Sequence, residues 1–185
     1  MKITKDIEKK CKKIKIILTD VDGVLTDGGM YYSNDGEIMK KFNTRDGMGV
    51  KLLSEKKIGT IIITSENSPI VKKRGKKIKV LKTYVGISKK ELLLPEICKK
   101  YSLNLQNIAY IGDDVNDLKI LNNVGFSCAP NDGVEKIKKN VDYVARVKGG
   151  SGVFREVTDL ILKFNWNYVM FSIFLMFNFV LIFSF

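Results

Sequence analysis

Asp20 and Asp22 stand one residue apart where the apolar run Ile16-Ile17-Leu18-Thr19 stops, and the glycines Gly23, Gly28 and Gly29 follow. The run suits a buried strand, and side chains alternate along a strand. An extended chain would therefore bring both carboxylates to one face of its end. Two carboxylates that close repel each other unless a cation lies between them or one is protonated. The alternative is a pair of solvated aspartates in a turn. Two more polar clusters end apolar runs in the same way: Thr64 and Ser65 after Thr60-Ile61-Ile62-Ile63, and Asp113, Asp114 and Asp117 after Ile108-Ala109-Tyr110-Ile111.

The chain has no histidine. That excludes a Ser-His-Asp triad, a Cys-His pair, a histidine general base and a histidine zinc site. Acid–base work falls to carboxylates, lysine or tyrosine. A metal held by this residue set is a hard ion bound through oxygen, with Mg2+ the first choice.

The elements that must position these residues alternate at βαβ spacing. Strands are expected at Ile14 to Thr19, Thr60 to Thr64, Val80 to Val85, Ile108 to Ile111, Gly125 to Cys128 and Val141 to Ala145. Helices are expected over Met48 to Lys57, Ile70 to Lys77, Ser88 to Tyr101, Asp117 to Asn122 and Val153 to Lys163. Met30 to Ser33 and Ile38 to Phe42, parted by Asn34-Asp35-Gly36, predict a β-hairpin. Asn43 to Gly47 reads as a loop and helix entry, and Gly149 to Gly152 as a flexible loop. The fold class is α/β with a mainly parallel sheet and a small hairpin insertion. Ligands of such sheets collect beyond the carboxyl ends of the strands, where all three polar clusters lie.

A length of 185 residues suits one domain, with 45% hydrophobic and 28% charged residues placing it among globular chains. A net charge of +12 favours anionic ligands. The lysines are scattered, however, and no RNA-binding aromatic signature or helix-turn-helix accompanies them, so no nucleic-acid partner is expected. Cys11, Cys98 and Cys128 are odd in number without paired spacing, which reads as reduced thiols in a cytoplasmic protein. Residues 1–13 read as a frayed basic lead-in and 14–163 as the catalytic domain. Residues 164–185 form an uncharged apolar tail, interrupted by Asn165, Asn167 and Asn178. That tail is long enough for a membrane segment, and a packing element or a non-native tail are the alternatives.

Asp20-Val21-Asp22-Gly23-Val24-Leu25-Thr26-Asp27-Gly28, a strand-end Thr64, a downstream lysine and Gly112-Asp113-Asp114 resemble the haloacid dehalogenase superfamily of phosphotransferases. Asn43-Thr44-Arg45-Asp46-Gly47 and Gly149-Gly150-Ser151-Gly152-Val153-Phe154-Arg155-Glu156 are similar to its small, capless branch. That branch includes the phosphatases of octulosonate 8-phosphate and of nine-carbon 2-keto acid 9-phosphates. The resemblance covers Ile14 to Lys163 and implies a Rossmann-like core. It implies a Mg2+-dependent phosphatase acting through an aspartyl-phosphate on Asp20, with Asp22 as acid and base. Asp20, Asp113 and the main-chain carbonyl of Asp22 would hold the metal, with Asp114 and Asp117 in support. Thr64 and a lysine would grip the phosphoryl group. Family spacing makes that lysine Lys90, with Lys89 as the alternative.

The resemblance further implies a homotetramer in which the hairpin lets a neighbouring subunit close the site. Thr44, Arg45, Gly149 and Gly150 would line that region. Arg74 is the candidate for the substrate carboxylate, because its fork binds carboxylates bidentately. Ser65 and Glu66 stand where the octulosonate enzymes carry a glycine and a basic residue. The substrate class is therefore a phosphorylated 2-keto-3-deoxy sugar acid, leaning to nine carbons with the octulosonate close behind.

Overall fold

The computed structural model describes residues 3–165, so the expectations for the rest of the 164–185 tail lie outside the described residues. The core is a six-stranded, fully parallel sheet. Its strands are β1 (Ile16–Thr19), β4 (Gly59–Ile63), β5 (Lys82–Tyr84), β6 (Ile108–Ile111), β7 (Phe126–Ala129) and β8 (Tyr143–Val144), in the order β5-β4-β1-β6-β7-β8. The hairpin, β2 (Tyr31–Ser33) and β3 (Gly36–Met39), forms its own antiparallel sheet.

The central strands β1 and β6 are buried at every position because both faces of the sheet are covered. Ile17, Ile62, Ala109, Ile111, Phe126 and Cys128 face one layer. That layer is α1 (Lys5–Lys13), α2 (Thr44–Glu55), α3 (Pro69–Ile78) and a helix over 153–165, here α7. Ile16, Leu18, Ile61, Ile63, Ile108 and Tyr110 face the opposite layer, made by α4 (Leu94–Tyr101), α5 (Leu118–Leu121) and α6 (Glu135–Lys138). Thr19 is level with Ile62 on one neighbour and Ile111 on the other. The loops carrying Asp20, Thr64 and Asp113 consequently leave the sheet along a single edge.

Several expectations change. The basic lead-in is a helix from Lys5, capped by the Thr4 hydroxyl, which accepts from the Ile7 amide. Its Ile7 and Cys11, one turn apart, enter the core, so apolar burial outweighs the lysine-rich composition. The helix expected from Ser88 begins only at Leu94, with Pro95 in its first turn, and a 3-10 turn over Lys90–Leu93 precedes it. Most of the loop read at Asn43 to Gly47 is the first turn of α2, because the Asn43 side chain accepts from the Arg45 amide and caps it. The short helix α6 carries too few residues to show a periodicity. Phe164, at the start of the tail, packs against the core, and Asn165 donates to the Cys11 carbonyl. No helix among the described residues is long and apolar enough to cross a membrane.

Asp46 of α2 joins that helix to α7: its Oδ1 accepts from the Arg155 amide at 2.9 Å, while its Oδ2 is buried with no hydrogen-bond partner among the described residues. Burial pushes its carboxyl up to about 6, although the Arg155 amide and the Arg74 charge pull it down. A carboxyl raised on folding favours its protonated form. Its contribution is therefore full below the unfolded carboxyl range and is lost as pH rises through about 6. Asp46→Asn keeps the acceptor and removes the charge. It should raise unfolding free energy at about pH 8 by up to about 3 kcal/mol, and the gain should shrink toward about pH 4. Urea unfolding at both pH values measures this, and a gain independent of pH contradicts it.

Candidate active site

Beyond the strand edge lies a cleft of about 330 Å3 lined by Asp20, Asp22, Gly23, Thr64, Ser65, Glu66, Asp113 and Asp114, among others. β1 ends at Thr19, before the aspartate pair, and the chain turns as the Val24 and Leu25 amides donate back to the Val21 carbonyl. Strand alternation therefore does not arrange the two carboxylates. Each is held instead by its own buried lysine. Gly23 makes the turn possible with φ +78°, and a Cβ there would strike the Asp113 carboxylate.

The deeper pair is Asp20 with Lys90. Lys90 Nζ lies 2.7 Å from Asp20 Oδ2 and 2.7 Å from Asp117 Oδ1, with the lysine side chain fully enclosed. Tyr110 in β6 donates its hydroxyl to Asp117 Oδ1 at 2.6 Å and accepts from Lys90 at 3.2 Å. The Asp113 amide donates to Asp117 Oδ2, so both oxygens of Asp117 are engaged. Burial works against the Lys90 charge, but the two carboxylates outweigh it and hold its pKa above the ordinary lysine value. Burial, with Asp117 adding to it, pushes Asp20 up to about 8 in spite of Lys90. Burial and the neighbouring Asp117 and Asp114 push Asp113 up to about 7.

Oxygens of Asp20, Asp113 and Asp117 lie within 4.8 Å of one another. Carboxylates gathered so closely, and raised toward neutrality by burial and each other, suit a hard divalent cation. Asp20 and Asp113 line the cleft, whereas Asp117 is wholly buried with both oxygens bonded. Asp117 is thus placed to orient its neighbours, and Asp20 and Asp113 to reach a ligand.

The second pair is Asp22 with Lys40. Lys40 Nζ donates to Asp22 Oδ1 at 2.6 Å and lies 2.7 Å from Glu37 Oε1, its own side chain fully enclosed. Neither Lys40 nor Glu37 was singled out from sequence. Their i, i+3 spacing of opposite charges is common on any exposed hairpin, and only the fold turns this one inward.

Of the remaining expected residues, Lys90 is buried and Lys89 exposed, which settles which of the two faces Asp20. Thr64 lines the cleft, and its Oγ1 accepts from the Glu66 amide at 3.1 Å, leaving the hydroxyl proton free to be donated. Glu66 is exposed at the rim. Asp114 accepts from the Val115 amide and starts a short 3-10 turn. Arg74 does not line the cleft. Its Nη2 donates to the Asn43 carbonyl at 2.9 Å and its guanidinium stacks 5.3 Å over Phe42. Thr44 and Arg45 lie in the exposed first turn of α2, and Arg45 borders a separate cavity with Arg146 and Arg155. Gly149 and Gly150 press against the backbone of residues 23–27, where a Cβ on either would collide. Among the described residues, the single chain thus keeps Thr44, Arg45, Arg74, Gly149 and Gly150 out of the cleft lining.

A family model described as haloacid dehalogenase-like hydrolase matches residues 6–157. A 3-deoxy-D-manno-octulosonate 8-phosphate phosphatase of Haemophilus influenzae is 37% identical over 157 residues, 85% of this chain and 87% of that protein. The enzyme of the same name from Escherichia coli K12 is 36% identical over 160 residues, 86% of this chain and 85% of that protein. A crystal structure of a 3-deoxy-D-manno-octulosonate 8-phosphate phosphatase from Moraxella catarrhalis, in complex with magnesium ion, phosphate ion and a KDO molecule, superposes with a TM-score of 0.86. It is 35% identical and covers 94% of this chain and 99% of its own.

Removing the positive charge between Asp20 and Asp117 leaves two buried carboxylates facing each other. Lys90→Met is expected to cost about 3–5 kcal/mol of stability in buffer without divalent cations. Chemical denaturation measures the loss, and a change below about 1 kcal/mol would mean the pair is not buried as described.

Proposed function

The chain belongs to the haloacid dehalogenase-like hydrolase family, and from that premise we propose that it is a Mg2+-dependent phosphatase of phosphorylated 2-keto-3-deoxy sugar acids. The observation carrying this reading is a buried carboxylate, Asp20, held 2.7 Å from Lys90 at the floor of a cleft that Asp113 and Thr64 also line. Such a carboxylate is a fixed nucleophile beside a fixed positive charge.

In the reaction, an Asp20 oxygen attacks phosphorus and the bond from phosphorus to the sugar oxygen breaks. Asp22 gives its proton to that departing oxygen, and the phosphoryl group is left on Asp20. A water then attacks the same phosphorus while Asp22 takes its proton back, releasing phosphate and restoring Asp20. The Thr64 hydroxyl donates to a phosphoryl oxygen, and Lys90 balances charge gathering there. Bound Mg2+, held by the Asp20 and Asp113 carboxylates and the Asp22 carbonyl, supplies the positive charge that lets an anionic nucleophile meet an anionic ester. Asp114 and Asp117 support this set.

The relatives named for the eight-carbon ester favour octulosonate 8-phosphate as the substrate. One observation favours a nine-carbon ester instead: Glu66 stands exposed at the cleft rim, an acceptor for additional sugar hydroxyls. Contacts to the sugar acid from Thr44, Arg45, Arg74 and the Gly149-Gly150 loop belong, on this reading, to a homotetramer whose neighbouring subunit completes the site. The hairpin offers the apolar surface such an assembly needs, with Met30, Tyr31, Tyr32, Ile38 and Met39 all exposed.

Phosphate release from a panel of eight- and nine-carbon 2-keto acid phosphates, with Mg2+ and with EDTA, tests the proposal. Turnover should require Mg2+ and favour one of the two lengths. Asp20→Asn should retain the fold by circular dichroism while losing roughly 1,000-fold or more in kcat. Near-normal release by that variant would rule out Asp20 as the nucleophile.

A further inference from the structure

Asp22 carries two oxygens with different surroundings. Oδ1 receives the Lys40 ammonium at 2.6 Å and the Thr26 hydroxyl at 3.2 Å. Oδ2 is buried and has no hydrogen-bond partner among the described residues. Two donors on one oxygen restrict the rotation of the whole carboxyl. Lys40 is itself pinned. Its second partner is Glu37 Oε1 at 2.7 Å, and Glu37 Oε2 accepts the Ser68 hydroxyl at 2.5 Å. Ser68 precedes α3 and makes no side-chain cap to it, its hydroxyl being spent on the hairpin.

The chain Asp22–Lys40–Glu37–Ser68 thus ties together three segments distant in sequence: the turn after β1, the far end of the hairpin, and the loop that runs from Thr64 to α3. A lysine whose side chain is fully enclosed is costly to bury without such partners, and here it has two carboxylates. Glu37 and Ser68 use none of the cleft's own residues, so the arrangement serves to hold Lys40 rather than to bind a ligand.

We propose that Lys40 is a positioning residue for Asp22, fixing the orientation from which that carboxyl exchanges a proton with the leaving group and then with water. This rests on the phosphatase reading above, and adds to it what holds the proton carrier in place. Lys40 is not part of the cleft lining. Its effect on phosphoryl transfer to Asp20, the step that kcat/KM reports, should therefore appear only where Asp22 must deliver a proton.

Leaving groups separate the two possibilities. An alkyl phosphate of a sugar departs as an alkoxide that must be protonated, whereas p-nitrophenolate departs as a stable anion and needs no proton. Wild type and Lys40→Met are assayed with Mg2+ on a sugar-acid phosphate and on p-nitrophenyl phosphate. Lys40→Met should lose about 100-fold in kcat/KM on the sugar ester and no more than about threefold on the aryl ester. An equal loss on both, which a merely structural lysine would give, overturns the proposal, as does no loss on either. Where Lys40→Met does not fold, Glu37→Gln is read on the same two esters. It loosens Lys40 yet leaves Asp22 paired, so it should shift the ratio of the two rates in the same direction, and an unchanged ratio overturns the proposal. A wild type inactive on both esters overturns the phosphatase reading and this inference together. An active wild type with an unchanged ratio in the variant overturns this inference alone.

Discussion

One lysine among thirty-two basic residues decides whether this site can exist. Asp20 and Asp117 are both buried, and Lys90, 2.7 Å from each, keeps their charges from opposing one another directly. Desolvating an ion is expensive, and two like ions in a low-dielectric pocket are more so. The surrounding structure meets that demand in detail. Tyr110 spends its buried hydroxyl on Asp117, the Asp113 amide occupies the remaining Asp117 oxygen, and β6 carries Tyr110 and leads directly into Asp113. The site is built on a strand end because a strand within a covered parallel sheet is the part of the fold least able to move.

The same logic repeats at a shallower depth for Asp22. There the positive charge comes from the hairpin, not from the sheet's helical layer, and Lys40 is fixed by Glu37 and Ser68. Two neighbouring carboxylates are therefore kept distinct: one deep, raised toward neutrality by burial and adjoining the metal-suited cluster, the other nearer solvent and anchored through a single oxygen. Environments that differ around paired carboxylates allow them different roles. Asp20 as nucleophile and Asp22 as proton carrier follow from that asymmetry on the proposed reading.

The hairpin has two faces of unequal character. Lys40 ties its end to the cleft, and its exposed Tyr32, Ile38 and Met39 leave apolar area uncovered. Within one chain, Arg45 and Arg74 sit away from the cleft, Arg74 being occupied by the Asn43 carbonyl and the Phe42 ring. On the proposed reading, the residues expected to recognise the sugar acid, as distinct from its phosphate, lie outside the cleft lining of the described chain. That division explains why the phosphate chemistry reads clearly from residues 20 to 117 while the sugar does not.

The amino-acid sequence by itself determined the layered α/β fold, the strand ends at Thr19 and Ile111, and the convergence of Asp20, Asp22, Thr64 and Asp113 on one edge. Those features are written in local patterns: unbroken apolar runs, turn residues after them, and βαβ spacing. Residues 1–13 read as frayed because lysines dominate their composition, whereas the fold buries Ile7 and Cys11 in the core. Family spacing already placed Lys90 ahead of Lys89, and the fold brings it to Asp20; only the tertiary structure decided that Lys40 turns inward to Asp22 and that Arg74 is spent on the backbone. Those outcomes depend on which charges meet across 18 to 70 residues of chain. In a chain this rich in lysine, local pattern marks none of them, and burial alone distinguishes a buried partner from a solvated neighbour.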